Sequence, residues 1–130
     1  MTPAGHLLSG YLVGDAIGQG SPHRPWILGA ALFGSIAPDF DVAVGLLGGW
    51  AGAGAHRGVT HSFLGAVAFA ALVAVVSRKR FRLLFTACLC GVLTHVFWDW
   101  LNVWGVRPFW PWQASFRGNL LHEGDLPAAA

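Results

Sequence analysis

The chain alternates long apolar runs with short polar turns. Two runs are long enough to cross a bilayer, Val59–Ser77 and Leu83–Leu101, at 19 residues each. That length is close to the ~20 residues a spanning helix needs. Between them Arg78-Lys79-Arg80-Phe81-Arg82 forms a tight basic turn, so the pair reads as a helical hairpin. Upstream, Gly5–Gly18 and Pro25–Ala37 read as shorter, glycine-rich helices, separated by the turn Gly20-Ser21-Pro22-His23-Arg24-Pro25. Gly10, Gly14 and Gly18 recur every four residues, and Ala30 and Gly34 repeat that spacing. A stripe of small residues lets membrane helices approach closely. Val42–Ala55 is apolar and glycine-rich and reads as a short re-entrant or interfacial piece. Thr60 is placed to N-cap the third helix. After Pro108 the chain turns polar and irregular, and residues 118–130 are expected to fray. The pattern predicts an all-α fold, a polytopic membrane bundle of about four helices, as one domain over residues 1–130.

Composition supports that solvent. Hydrophobic residues make up 55% of the chain and charged residues 11%, with a mean hydropathy of +0.55. A soluble domain carries about 25% charge. The net charge of +2 is too small for a nucleic-acid binder. Met1–Gly10 lacks the basic start of a cleavable signal peptide, so the first helix is expected to be retained. Cys88 and Cys90 are two apart inside an apolar helix and point in different directions. They read as small packing residues rather than a redox or zinc pair.

Helices running up and down sort their ends into two groups. One face collects Arg24, Arg78, Lys79, Arg80 and Arg82, five cations against three (Arg57, Arg107, Arg117) on the other. The positive-inside rule makes the first face cytoplasmic, and Trp50, Trp104, Trp110 and Trp112 on the second resemble an interfacial belt. All acidic residues except Asp15 fall on the second face or its tail, and four of six histidines fall on that face. His23, in the opposite turn, and His122, in the tail, read as solvated. His61 to Ser77 is about 24 Å of helix and Arg82 to Asp99 about 26 Å. His61 and Asp99 therefore belong at one depth on antiparallel neighbours, and His95 shares a helix face with Asp99. Four separate segments deliver His6, Asp39, Asp41, His56, His61, His95 and Asp99 to one level. Ionisable groups at membrane depth are costly and default to function. Imidazoles with carboxylates are the ligand set of Zn²⁺, Mn²⁺ or Fe²⁺. The other account of these residues is as helix caps and interfacial hydrogen bonders.

TPAGHLLSG, APDFD, HRGVTHS and THVFWDWLNVWGVRPFWPW resemble the inner-membrane metal-dependent hydrolase family, also labelled LexA-binding, inner-membrane-associated hydrolases. The resemblance covers nearly the whole chain, and HRGVTHS followed by HxxxDxxNxxG is its most specific part. It implies a multi-pass protein of the cell inner membrane with a divalent-metal hydrolase centre. A more distant likeness runs to zinc-dependent phospholipase C and P1-type nucleases. Residue by residue it marks His6, Asp39, Asp41, His56, His61, His95 and Asp99 as metal ligands, zinc first, and Asp125 as the match of a late family aspartate. Two departures stand out: Val42 follows Asp41 where relatives often carry histidine, and relatives often continue into further apolar helices. The first points to a reduced or single-metal site.

The function that follows is metal-dependent hydrolysis of a phosphoester or lipid-like substrate at the non-cytoplasmic face. Asp39 or Asp99 would take the proton of the attacking water. Arg57, whose guanidinium fork matches phosphate, would steady an anionic oxygen, unless it is an interfacial anchor. The rival is a non-catalytic membrane protein whose cluster holds a metal or a partner structurally. A small transporter is a weaker alternative: Phe63–Val76 and Leu83–Thr94 carry no Asp, Glu, Lys, Arg or His to continue a polar path.

Overall fold

The computed structural model describes residues 2–42, 57–112 and 114–120. The fold is all-helical. Among the described residues the α-helices are α1 (Pro3–Gly18), α2 (Arg24–Ile36), α3 (Phe63–Ala74) and α4 (Phe81–Leu101). Short 3₁₀ turns cover Ala37–Asp39, Val59–His61 and Arg78–Arg80. One antiparallel bridge joins Val106 and Phe116. The expected re-entrant piece, with Trp50 and His56 in or beside it, lies outside the described residues apart from Val42, which still continues the helical turn after Asp39. So do His122, Asp125 and most of the expected frayed tail. Gly118 and Leu120, at the start of that tail, donate to the carbonyls of Trp100 (2.6 Å) and Leu101 (3.0 Å).

Two of the described helices, α1 and α3, begin at a side-chain cap. Thr2 caps α1 by accepting from Gly5 N–H, with Pro3 at the first helical position. The N-cap of α3 is Ser62, whose Oγ accepts from Gly65 N–H at 3.0 Å. This corrects the assignment of that cap to Thr60. It also shortens the predicted Val59–Ser77 span. Val59–His61 wind as a 3₁₀ turn and Ser62 is extended, which leaves 12 residues in α3. At about 1.5 Å per residue that is about 18 Å, short of the ~30 Å hydrocarbon core. One described helical run, Arg78–Leu101 with 24 residues, is long and apolar enough to cross a membrane.

The helix α4 packs against the other three, and α2 also packs against α1. These contacts are close because the interfaces are built from small residues. A methyl group at Gly10 would strike Ser35, one at Gly34 the Cys88 carbonyl, and one at Gly91 the Ala31 carbonyl. The glycine stripe of α1 and the Ala30/Gly34 stripe of α2 therefore face neighbouring helices. The core is correspondingly small: Ala30, Ala31, Ala66, Ala70, Ala74, Ala87 and Cys88 are buried. Apart from Ile27, Leu84, Val92, Val96 and Val106, most large apolar side chains point outward. Leu8, Leu12, Leu72 and Val76 are 59–74% exposed. Water would not tolerate such a surface, and a bilayer solvates it.

Candidate metal centre

At one end of the bundle four buried or half-buried side chains converge. His61 arrives from the 3₁₀ turn before α3, Asp39 from the turn after α2, and His95 and Asp99 from adjacent turns of α4. The Nε2 atoms of His61 and His95 lie 3.2 Å apart. His61 Nε2 is 3.7 Å from Asp39 Oδ1 and 3.4 Å from Asp99 Oδ2. His95 Nε2 is 3.5 Å from Asp39 Oδ1 and 3.6 Å from Asp99 Oδ2. A tetrahedral cation with bonds of 2.0–2.1 Å separates its ligand atoms by about 3.3 Å. The five distances scatter around that edge length. All four donor atoms lie within 4.8 Å of one another, close enough to hold one metal ion.

The rings are aimed by their other nitrogens. His95 Nδ1 lies 2.7 Å from the Ser35 carbonyl oxygen, which can only accept, so the proton sits on Nδ1 and the Nε2 lone pair faces the centre. His61 Nδ1 lies 3.0 Å from Thr60 Oγ1, and the Thr60 hydroxyl donates to Asp41 Oδ2 at 2.5 Å. A proton on His61 Nδ1 completes that chain and again turns Nε2 inward. Asp41 is thus behind the ring, 3.7 Å from Nδ1, rather than at the centre.

Asp99 is 1% exposed, a carboxylate that must be compensated. Its Oδ1 faces His6 Nε2 at 3.4 Å, and its Oδ2 faces Arg57 Nη2 at 3.5 Å. Arg57 also donates from Nη1 to the Gly105 carbonyl at 3.2 Å. Arg57 adopts φ +65°, an uncommon left-handed backbone for a side chain of this size and one often found at functional sites. His6 is buried and stacks on His95, with ring centroids 3.8 Å apart and 18° between planes. Among the described residues its Nδ1 has no hydrogen-bond partner. Asp39 is the most accessible member, with 29% of its side chain exposed. Burial pushes its carboxyl up, but in the metal-free site a proton shared from His61 or His95 Nε2, which a bound cation would replace, outweighs this and holds it well below the usual carboxylate range. It is anionic at neutral pH, ready for a cation.

Of the residues marked in the sequence, His61, His95, Asp99 and Asp39 come together. His6 and Arg57 stand behind Asp99, Asp41 stands behind His61, and His56 lies outside the described residues. Three residues around the centre had not been given a place in it, Thr60 having been read as a helix cap and Asn102 only as part of a motif. Thr60 links His61 to Asp41, and its position beside His61 is the only trace. Ser35 acts through its backbone and leaves no signal. Asn102, 2% exposed, follows Asp99 by three residues and so falls on the same side of α4.

A protein-family profile described as "YdjM inner membrane protein" matches residues 1–127. The chain belongs to the YdjM inner membrane protein family. Membership supports the inner-membrane part of the resemblance and the bilayer as this chain's surroundings. It does not extend to hydrolysis or to the phospholipase C and nuclease likeness. Searches of curated proteins and of solved structures find no match.

Proposed function

We propose that this YdjM-family chain is a multi-pass inner-membrane hydrolase with one divalent metal, zinc in the first instance, held by His61, His95 and Asp99. The observation that carries this reading is the convergence of both Nε2 atoms and two carboxylates at tetrahedral ligand spacing. Each ring is fixed from behind, as ligand histidines are. When bound, the cation supplies Lewis acidity to a phosphoryl or carbonyl oxygen and makes water a nucleophile near neutral pH. Asp39, anionic and the most exposed of the four, is placed to accept the proton of the attacking water. Arg57 and His6 hold Asp99 in its ligating pose. An apolar groove lined by Phe63, Val96, Phe97, Trp100, Val106 and Phe109 runs beside α4, and Val96 adjoins His95. That neighbour favours a lipid-like phosphoester over a soluble one. The five-to-three charge bias puts the site on the non-cytoplasmic face. The domain is read as the whole of residues 1–130.

One observation favours the non-catalytic rival. Four protein donor atoms within 4.8 Å of one another could fill all four positions of a tetrahedral cation, which is the closed pattern of a structural metal site. Asp39→Asn separates the two. If Asp39 is the base, metal content stays near that of the parent while hydrolysis of a phospholipid or chromogenic phosphoester falls about 10²-fold or more. If Asp39 is a fourth structural ligand, metal is lost, and the parent protein hydrolyses neither substrate with metal fully bound.

A further inference from the structure

The opposite end of the bundle carries a second set of features that the metal centre does not use. Arg78, Lys79, Arg80 and Arg82 line an open cleft of about 570 Å³ together with His23. Among the described residues no carboxylate pairs with any of these four cations. The nearby Asp15 is already taken, bonded to Arg24 at 2.6 Å. Beside this cleft lies an apolar groove of about 600 Å³ between α2, α3 and α4, walled by Trp26, Gly29, Phe33, Leu72, Val76 and Leu84. The two share an edge. The Arg80 guanidinium sits 5.1 Å from the centroid of the Trp26 ring. Arg80 Nε is buried there and has no hydrogen-bond partner among the described residues.

We propose that this end of the bundle binds one anionic phospholipid, its phosphate on the 78–82 cations and an acyl chain in the α2/α3/α4 groove. Each half alone is ordinary. A basic turn at a helix end sets orientation, and an apolar groove in a bilayer fills with whatever lipid is near. Their juncture at Arg80 and Trp26 is what selects, because only an amphiphile with a negative head matches both. Basic pockets at membrane-helix ends recognise acidic head groups in this way. The guanidinium fork, through its Nη donors, suits a phosphate oxygen. The site is about 22 Å along α4 from His95, counting 15 residues from Arg80 at 1.5 Å each. It is therefore not a substrate position of the metal centre, and it stands or falls independently of the hydrolase reading.

Native mass spectrometry of the detergent-solubilised protein tests this, with phosphatidylglycerol and phosphatidylcholine of identical chains offered in equal amounts. The expected result is one tightly retained phosphatidylglycerol, favoured about tenfold or more. In Arg80→Gln/Arg82→Gln that preference should drop to near parity. Gly29→Phe should lower retention of both lipids. A Cβ added at position 29 meets no atom within 4 Å, so the new side chain starts into the open space of the groove. Glycerol phosphate, which has the head and no chains, should not displace the lipid. Equal retention of the two lipids by the parent protein would reduce the basic turn to an orientation signal and overturn the proposal. Displacement by glycerol phosphate would overturn it too, by making this a soluble-anion site. Unchanged lipid retention in Gly29→Phe would remove the chain from the groove. Parent-like folded yield in each variant guards the comparison.

Discussion

At the scale of residues, the centre depends on which nitrogen of each histidine faces inward. His95 receives its orientation from a backbone carbonyl, which no side-chain substitution removes. His61 receives its orientation from Thr60 and, through it, Asp41, and is the more vulnerable of the two. Thr60→Val keeps the branched shape and deletes the hydroxyl. It is expected to weaken metal affinity about 10–100-fold while leaving folded yield near the parent's. Titration of the metal-free protein with zinc in detergent reads the difference, and unchanged affinity would show that His61 does not rely on that chain. The site was legible from the sequence in its donor types and depth, because His and Asp at helix ends in an apolar chain are few and each has to be accounted for. The division of labour was not. Asp39 and Asp41 are two residues apart on a turn, and only three-dimensional placement shows one entering the cluster and the other backing a ring.

At the scale of elements, the small-residue stripes were readable because a four-residue period is a direct statement about a helix face. They lie where Gly10, Gly34 and Gly91 permit near-backbone contact. The four helices and the basic turn were equally legible. What misled was the treatment of an uninterrupted apolar run as an uninterrupted helix. Val59 and Thr60 are β-branched, and Ser62 is a strong cap whose side chain satisfies an N–H of the first turn. Local hydrogen bonding therefore starts α3 at Phe63, and hydropathy, which is blind to caps, cannot register it. The same shortening frees His61 from the helix and lets its ring turn toward α4. Phe63 N–H is not wasted, since it donates to the Pro108 carbonyl at 2.9 Å and ties the loop after α4 to the site.

At the scale of the whole molecule, small residues inside and large apolar residues outside make a protein that the membrane, not water, completes. The charge asymmetry then predicts an orientation. A cysteine introduced by Lys79→Cys, with Cys88→Ala and Cys90→Ala removing the native thiols, should react with an impermeant maleimide only after the membrane is opened. Labelling from the outside of intact cells would reverse the orientation and with it the face assigned to the metal centre. The charges at one end and the imidazole–carboxylate cluster at the other make this a bundle with two chemically distinct poles. The account rests on what the second pole holds. Metal analysis of the purified, detergent-solubilised protein beside His95→Ala and Cys88→Ala tests that most directly. One equivalent of zinc, manganese or iron per chain is expected in the parent and in Cys88→Ala. His95→Ala should be folded and inserted but empty, because the bundle is held by its apolar surface and close packing rather than by the site. No metal in the parent, or a full equivalent retained by well-folded His95→Ala, would contradict the account.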